Sequence, residues 1–187
     1  MKQTIPCAFR FFTFIALTLT FCSACKSTGT ASSLQGSGTG TPTGIPSNPV
    51  SSAPDPYQQQ LLDLINASRA TAGLPPYTFS AVESNGTATC VGASGHSIEM
   101  SQEGAISHDQ FPLDICLPYT SAGENVGYTS GVSENDGILE THVAMMDEGP
   151  TGGHYQNIMS SSFTTVGFGL YVDSTGTLWL TEDFIEP

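Results

Sequence analysis

Ordered patterning along this chain begins at Asp55. From there Tyr57, Leu61, Leu64, Ile65 and Ser68 recur at the spacing of one helical face, and Gly73 stops the helix. Asp55, Pro56 and Gln58 supply its start: a side-chain N-cap, a first-turn proline and a glutamine placed to close a capping box. Leu74 to Tyr77 runs extended, because a residue before proline avoids the α region. Ser80 and Glu83 form a second capping box. It opens one long helix with Val82, Gly86, Thr89, Ala93 and Ser97 or Met100 inward, ended by Gly104. Small residues on that face imply close approach to another element. After the turn at Ala122 to Glu124, residues Asn125 to Thr129 read as a short strand. A third helix covers Ser133 to Glu148, and a short fourth begins near Gly153. Strict alternation then marks Thr165–Val172 and Thr177–Phe184 as a hairpin around Asp173 to Gly176. Helices first and an antiparallel hairpin last predict a layered α+β fold without repeats.

Upstream the pattern changes character. Lys2 and Arg10 flank a short start, and an apolar run follows from Phe11 to Phe21. About 11 residues rising 1.5 Å each cannot cross a ~30 Å hydrocarbon core, but they suit the core of an export signal. Ser23 and Ala24 before Cys25 resemble a bacterial lipobox, with Cys22 where that motif usually has leucine. Cys25 is therefore the expected site of lipidation, and ordinary cleavage to a free secreted product is the alternative. Ser27 to Pro54 carries no charge and is built mainly of Ser, Thr, Gly and Pro, a composition too poor in apolar surface to offset ordering entropy. The expected organisation is a signal peptide over 1–24, a lipidated cysteine and disordered linker over 25–54, and one folded domain over 55–187. That places the domain outside the cytoplasm, held to a bacterial membrane only by the lipid. Of the 5 cysteines, Cys7 and Cys22 leave with the leader and Cys25 takes the lipid. Cys90 and Cys116 remain as one pair in an oxidising compartment, which favours a disulfide.

Charge narrows the partners. The chain has 4 Lys+Arg against 17 Asp+Glu, a net charge of −13, and Arg69 is the sole Lys or Arg after Asp55. Such a surface repels phosphate backbones and anionic headgroups, so nucleic acid is excluded as a natural partner and divalent cations are favoured.

The candidate chemistry lies at element ends and in loops: His108, Glu124, Glu148 and His154. Two imidazoles and two carboxylates suit zinc first, or another first-row divalent ion, with magnesium or calcium as the alternatives; calcium alone would prefer more oxygen ligands. His96 and His142 fall on helices and read as structural. The stretches His96 to Met100, Ile106 to His108, Ala122 to Val126 and Gly153 to Met159 resemble the bacterial branch of the CAP superfamily. That superfamily comprises the cysteine-rich secretory proteins, antigen 5 and plant pathogenesis-related proteins. Phe163 to Gly169 and Leu178 to Phe184 extend the resemblance, which covers about Tyr57 to Phe184.

The resemblance implies a three-layer α-β-α sandwich around an antiparallel sheet, with two His and two Glu in an open cleft. By motif these are His108, Glu124, Glu148 and His154. Met145 stands where the family has a Trp three residues before the second Glu, so Asp147 is the alternative to Glu148. Ser160 stands near the place of another family Trp. The first expectation is a monomeric binding module: His108 and His154 ligate a divalent ion, and Glu124 and Glu148 act behind them or through water. The resemblance adds a small apolar ligand, a peptide or an envelope component as partners. A metal-assisted hydrolase using the same cleft is the first alternative, although the sequence has no His-Glu-x-x-His and no Gly-x-Ser-x-Gly. A passive envelope module is the second. Protons compete with metal for imidazole nitrogen, so binding through these histidines should weaken between about pH 7 and 5.

Overall fold

The computed structural model describes residues 52–187. The expectations for the leader, for Cys25 and for the linker up to residue 51 lie outside the described residues. Helix α1 spans Pro56–Thr71, and its start follows the sequence closely: the Asp55 side chain accepts from the backbone N–H of Tyr57 and Gln58, and the Gln58 side chain returns to the Asp55 N–H. Its buried face is Gln58, Leu61, Ile65 and Arg69. Tyr57, expected inward, is 39% exposed, because the stripe turns about 100° per residue and Gln58 takes the inward place, donating to the Phe168 carbonyl at 3.0 Å.

The single long helix expected from Ser80 is in fact two. α2 covers Ala81–Asn85 and α3 covers Gly92–Glu103. Ser80 does cap Glu83 N–H at 3.2 Å, but the reciprocal half of the box is missing. The Glu83 carboxylate instead accepts from the Cys116 and Leu117 backbone N–H groups at 3.0 and 2.6 Å. Gly86 and Gly92 both have positive φ (72° and 65°), and a Cβ on either would meet backbone of the other side of the break. Glycine therefore permits a sharp reversal where helix was expected. Val82 is consequently 38% exposed, not inward, while Glu83 is buried.

Strand β1 is the short Thr78–Phe79, β2 is Ser121–Ser130, α4 is Glu134–Asp147 and α5 is Gly153–Ile158; β3 is Thr165–Val172 and β4 is Thr177–Glu186. The sheet order is β1-β3-β4-β2. β4 pairs antiparallel with both β2 and β3, and β1 joins β3 in parallel. Helices α2 and α3 cover one face of this sheet; α1, α4 and α5 cover the other. β4 is buried on both faces, and its alternation serves both. Leu178, Leu180 and Phe184 join Leu61, Ile65, Ile138 and Ile158 in the larger core. Trp179 packs with Met100 and Val126 on the opposite side. Gly167 and Gly169 in β3 let α2 and α3 lie close: a Cβ there would collide with Glu83 and with the Ala93 carbonyl. Cys90 and Cys116 form a disulfide that ties the α2–α3 break to the loop before β2.

Candidate functional site

β2 is an edge strand, and its alternation decides which side chains meet which helices. Val126 packs on Met100 and Trp179 toward α3, so Glu124, two residues earlier, points the same way, and Asn125 points to α5. The Glu124 carboxylate is shared: Oε2 accepts from His96 Nδ1 at 2.6 Å and Oε1 accepts from His108 Nδ1 at 2.6 Å. Gly104, at φ 70°, caps α3 in the left-handed conformation and sends the chain back. That reversal brings the His108 ring to Glu124 while leaving its side chain 57% exposed.

A second histidine–glutamate pair forms across the turn between α4 and α5. The Glu148 side chain accepts from His154 Nδ1 at 2.6 Å through Oε1 and from the His154 backbone N–H at 3.2 Å through Oε2. The bond from His154 holds the Glu148 carboxyl below the usual glutamate range. Gly152 makes room for it, since a Cβ there would strike Glu148. Asp147 instead lines a separate groove between α1 and α4, with Ser68 and His142 among its other lining residues.

The two pairs are tied together through amides. Asn157 Nδ2 donates to the Glu124 carbonyl at 3.1 Å and to Asn125 Oδ1 at 2.9 Å; Asn125 Nδ2 donates to the His154 carbonyl at 3.3 Å and to Glu182 Oε2 at 2.8 Å. Burial pushes the Glu182 carboxyl up to about 7, against the pull of Asn125. Arg69, fully buried, fixes the far end of α5. Its Nη1 donates to the Ile158 and Ser160 carbonyls at 2.8 and 2.7 Å, and its guanidinium lies 3.6 Å over the Tyr77 ring. A groove of about 460 Å³ runs along β2, with Ile106 from the His108 loop, Glu148 and His154 at its walls and Val126, Tyr128 and Met145 along it.

Sequence reasoning missed the partners beneath this surface. His96, read as structural, is buried against both Glu124 and Asp114, whose Oδ2 lies 3.1 Å from the same Nδ1. Burial pulls the imidazole pKa down, but Asp114 and Glu124 outweigh it and raise it to about 10. His96, Asp114 and Glu124 each offer a ligand atom within 4.8 Å of the others. Asp183, directly opposite Glu124 in the ladder, is also fully buried. Burial, reinforced by Asp114, Glu124 and Glu83, pushes its carboxyl well above the usual range. One signal for Asp183 was present: in the alternation of β4 it shares a face with the buried Trp179. Asp114 had none.

Among the described residues only His96, Asp114 and Glu124 bring three possible ligand atoms within 4.8 Å of one another; the two outer pairs do not join in such a group. In each outer ring a carboxylate engages Nδ1, and among the described residues neither Nε2 makes a hydrogen bond.

Comparison with known proteins identifies the family. The profile of the cysteine-rich secretory protein family, CAP, matches residues 62–184. The chain belongs to the CAP family. No curated protein matches it in sequence. Among solved structures this CAP domain is similar to an outer surface protein of Borrelia burgdorferi, with TM-score 0.56, 12% identity, and coverage of 70% of this chain and 92% of that one. It is also similar to NaASP2 with Zn2+, with TM-score 0.52, 13% identity, and 75% and 83% coverage. Venom allergen-like protein 4 of Schistosoma mansoni gives TM-score 0.51, 12% identity, and 71% and 89% coverage. At such identities the likeness is one of fold.

Proposed function

We propose that this CAP domain is a non-catalytic binding module of the cell envelope. In this reading it holds a divalent cation, zinc by preference, on His108 and His154, with Glu124 and Glu148 behind them. The observation that carries the reading is the pair of Nδ1–carboxylate bonds at 2.6 Å, each of which leaves an Nε2 free. A carboxylate behind a histidine fixes its tautomer and raises its basicity as a ligand. The adjoining groove, lined by Val126, Tyr128 and Met145, supplies apolar surface for a small apolar ligand or an extended peptide beside the ion. Two protein ligands leave positions for water and ligand, so the ion serves to orient a bound group.

The NaASP2 structure with Zn2+ and the outer-surface placement of the Borrelia protein support the ion and the location. Export and attachment at Cys25 rest on the leader sequence and agree with the disulfide. Among the described residues no helix is long and apolar enough to cross a membrane.

The test is zinc titration calorimetry on the full chain beside His108→Ala/His154→Ala. Wild type is expected to show a binding event, weakening from about pH 7 to 5, that the double variant lacks, whatever other zinc the two proteins take up alike. The same isotherm in the two proteins, or a difference independent of pH, would remove these histidines from the site.

A further inference from the structure

Beneath the cleft lies a second group of ligating side chains, of which the outer pairs use only Glu124. His96 comes from α3, Asp114 from the disulfide loop, Glu124 from β2 and Asp183 from β4, and all are buried. Three acids in one interior are costly unless neutralised, and carboxylates directly opposite one another in a ladder repel. Glu124 and Asp183 are such a pair. The hydrogen bonds do not account for the group. His96 directs its Nδ1 hydrogen to Glu124, so both oxygens of Asp114 go without a hydrogen bond. Both oxygens of Asp183, and Nε2 of His96, go without one as well. Glu83 also bears on Asp183, but its carboxylate is already satisfied by the Cys116 and Leu117 N–H groups.

Asp183 is aimed at this group. Two residues earlier on the same face, Thr181 shares a hydrogen bond of 2.9 Å with Ser97 of α3, next to His96. Asp183 is therefore a buried, unpartnered carboxylate facing a histidine and two further carboxylates whose ligand atoms already lie within 4.8 Å of one another.

We propose that His96, Asp114 and Glu124 form a buried site for a divalent first-row cation of the zinc type, with Asp183 accepting a hydrogen bond from a water on that ion. One imidazole nitrogen and two carboxylates, completed by water, is a donor set for tetrahedral zinc. Tetrahedral ligands at about 2.0–2.2 Å from the ion stand about 3.3 Å apart. The 3.1 Å spacing of His96 and Asp114 is close to that, and the 2.6 Å bond to Glu124 opens when the ion replaces the Nδ1 proton. The ion joins α3, the disulfide loop and β2, so its role is to hold the floor on which Glu124 presents His108. The proposal shares Glu124 with the outer cleft but does not rest on that reading, because His108 and His154 are not among its ligands.

The test keeps the two sites separate. The full chain carrying His108→Ala/His154→Ala is loaded with zinc, desalted and analysed for bound metal, then melted with and without a chelator. About one equivalent of zinc should be retained, and the chelator should lower the Tm. Adding Asp114→Asn should reduce retained zinc at least tenfold. Should that variant not fold, Asp183→Asn reads the same question through the sign of its effect. With an ion present, losing Asp183 lowers the Tm; with no ion, losing a buried unpaired acid leaves the Tm equal or higher. No retained zinc in the double variant, together with a Tm indifferent to chelator and zinc, overturns the proposal, even if wild type binds zinc at the outer cleft.

Discussion

On one face of β4, Leu178, Leu180 and Phe184 pack into α1, α4 and α5; on the other, Trp179, Thr181 and Asp183 meet α2 and α3. The first face is mainly apolar in depth, continued by Leu61, Ile65, Ile138, Ile158 and Phe168, with buried Glu182, held by Asn125, as the polar exception on β4. The second holds one small apolar cluster of Met100, Val126 and Trp179, and gives the rest of its interior to His96, Asp114, Glu124 and Asp183. Most of the apolar core therefore lies on one face of the strand and the largest group of buried acids on the other. The apolar face gains free energy by removing surface from water, while the polar face spends part of it holding charge in place. Cross-links compensate: the Cys90–Cys116 bond and the clasp of Glu83 on the Cys116 and Leu117 N–H groups lie on the costly side.

The sharpest way to break this comparison is to hollow the apolar face. Phe184 is fully buried and its ring stands 5.3 Å from that of Tyr77. Phe184→Ala should cost about 3–5 kcal/mol in urea unfolding; a loss below about 1 kcal/mol would mean that this face does not carry the fold. Next comes the staple on the polar face. Cys90→Ser/Cys116→Ser releases a loop of 26 residues, and the chain-entropy account puts the cost at about 3–4 kcal/mol. It should also disturb the binding site, because Asp114 lies inside that loop. A variant that keeps the metal affinity of wild type would argue that the loop does not support the site.

The smallest effect concerns Glu182, the buried acid of the first face, which accepts from Asn125 at 2.8 Å. Glu182 is raised to about 7 from 4.5 by burial, with Asn125 pulling the other way. The folded chain therefore binds more protons than the unfolded chain between about pH 4.5 and 7. Its stabilising effect is complete below about 4.5 and is lost as pH rises through about 7, with a slope of up to about 1.4 kcal/mol per pH unit. His96, raised to about 10, extends the decline to higher pH. In the presence of chelator, the Tm of the full chain should fall between pH 5 and 7, and Glu182→Gln should flatten that part of the profile. A profile that rises with pH in wild type would reverse the assignment.

What could be read from the sequence was what is local. The capping box at Asp55, the end of α3 at Gly104, the start of α4 at Ser133 and the hairpin around Asp173 all depend on residues within a few positions of one another. The break between α2 and α3 was hidden because Gly86 fits a close-packed helical face as well as a reversal, and only the positive φ of Gly86 and Gly92 separates the two. β1 is too short to show alternation. In the candidate site, His108, Glu124, Glu148 and His154 were named from motifs, and the geometry puts them in two pairs with Glu148, not Asp147, on His154. The buried group beneath was out of reach because it depends on register. Glu124 meets Asp183 across 59 residues of chain only through the β2–β4 ladder.

The central claim, that each carboxylate on Nδ1 leaves Nε2 of His108 and His154 to hold the ion, is tested most directly by the nitrogen NMR of the imidazole rings. The full chain labelled with 15N-histidine is titrated with zinc, and ring nitrogens are assigned by comparison with His108→Ala and His154→Ala. The account expects Nε2 of both rings to shift to the metal-bound position while both Nδ1 remain protonated on Glu124 and Glu148. Zinc on either Nδ1, or two rings unmoved at saturating zinc, would contradict it.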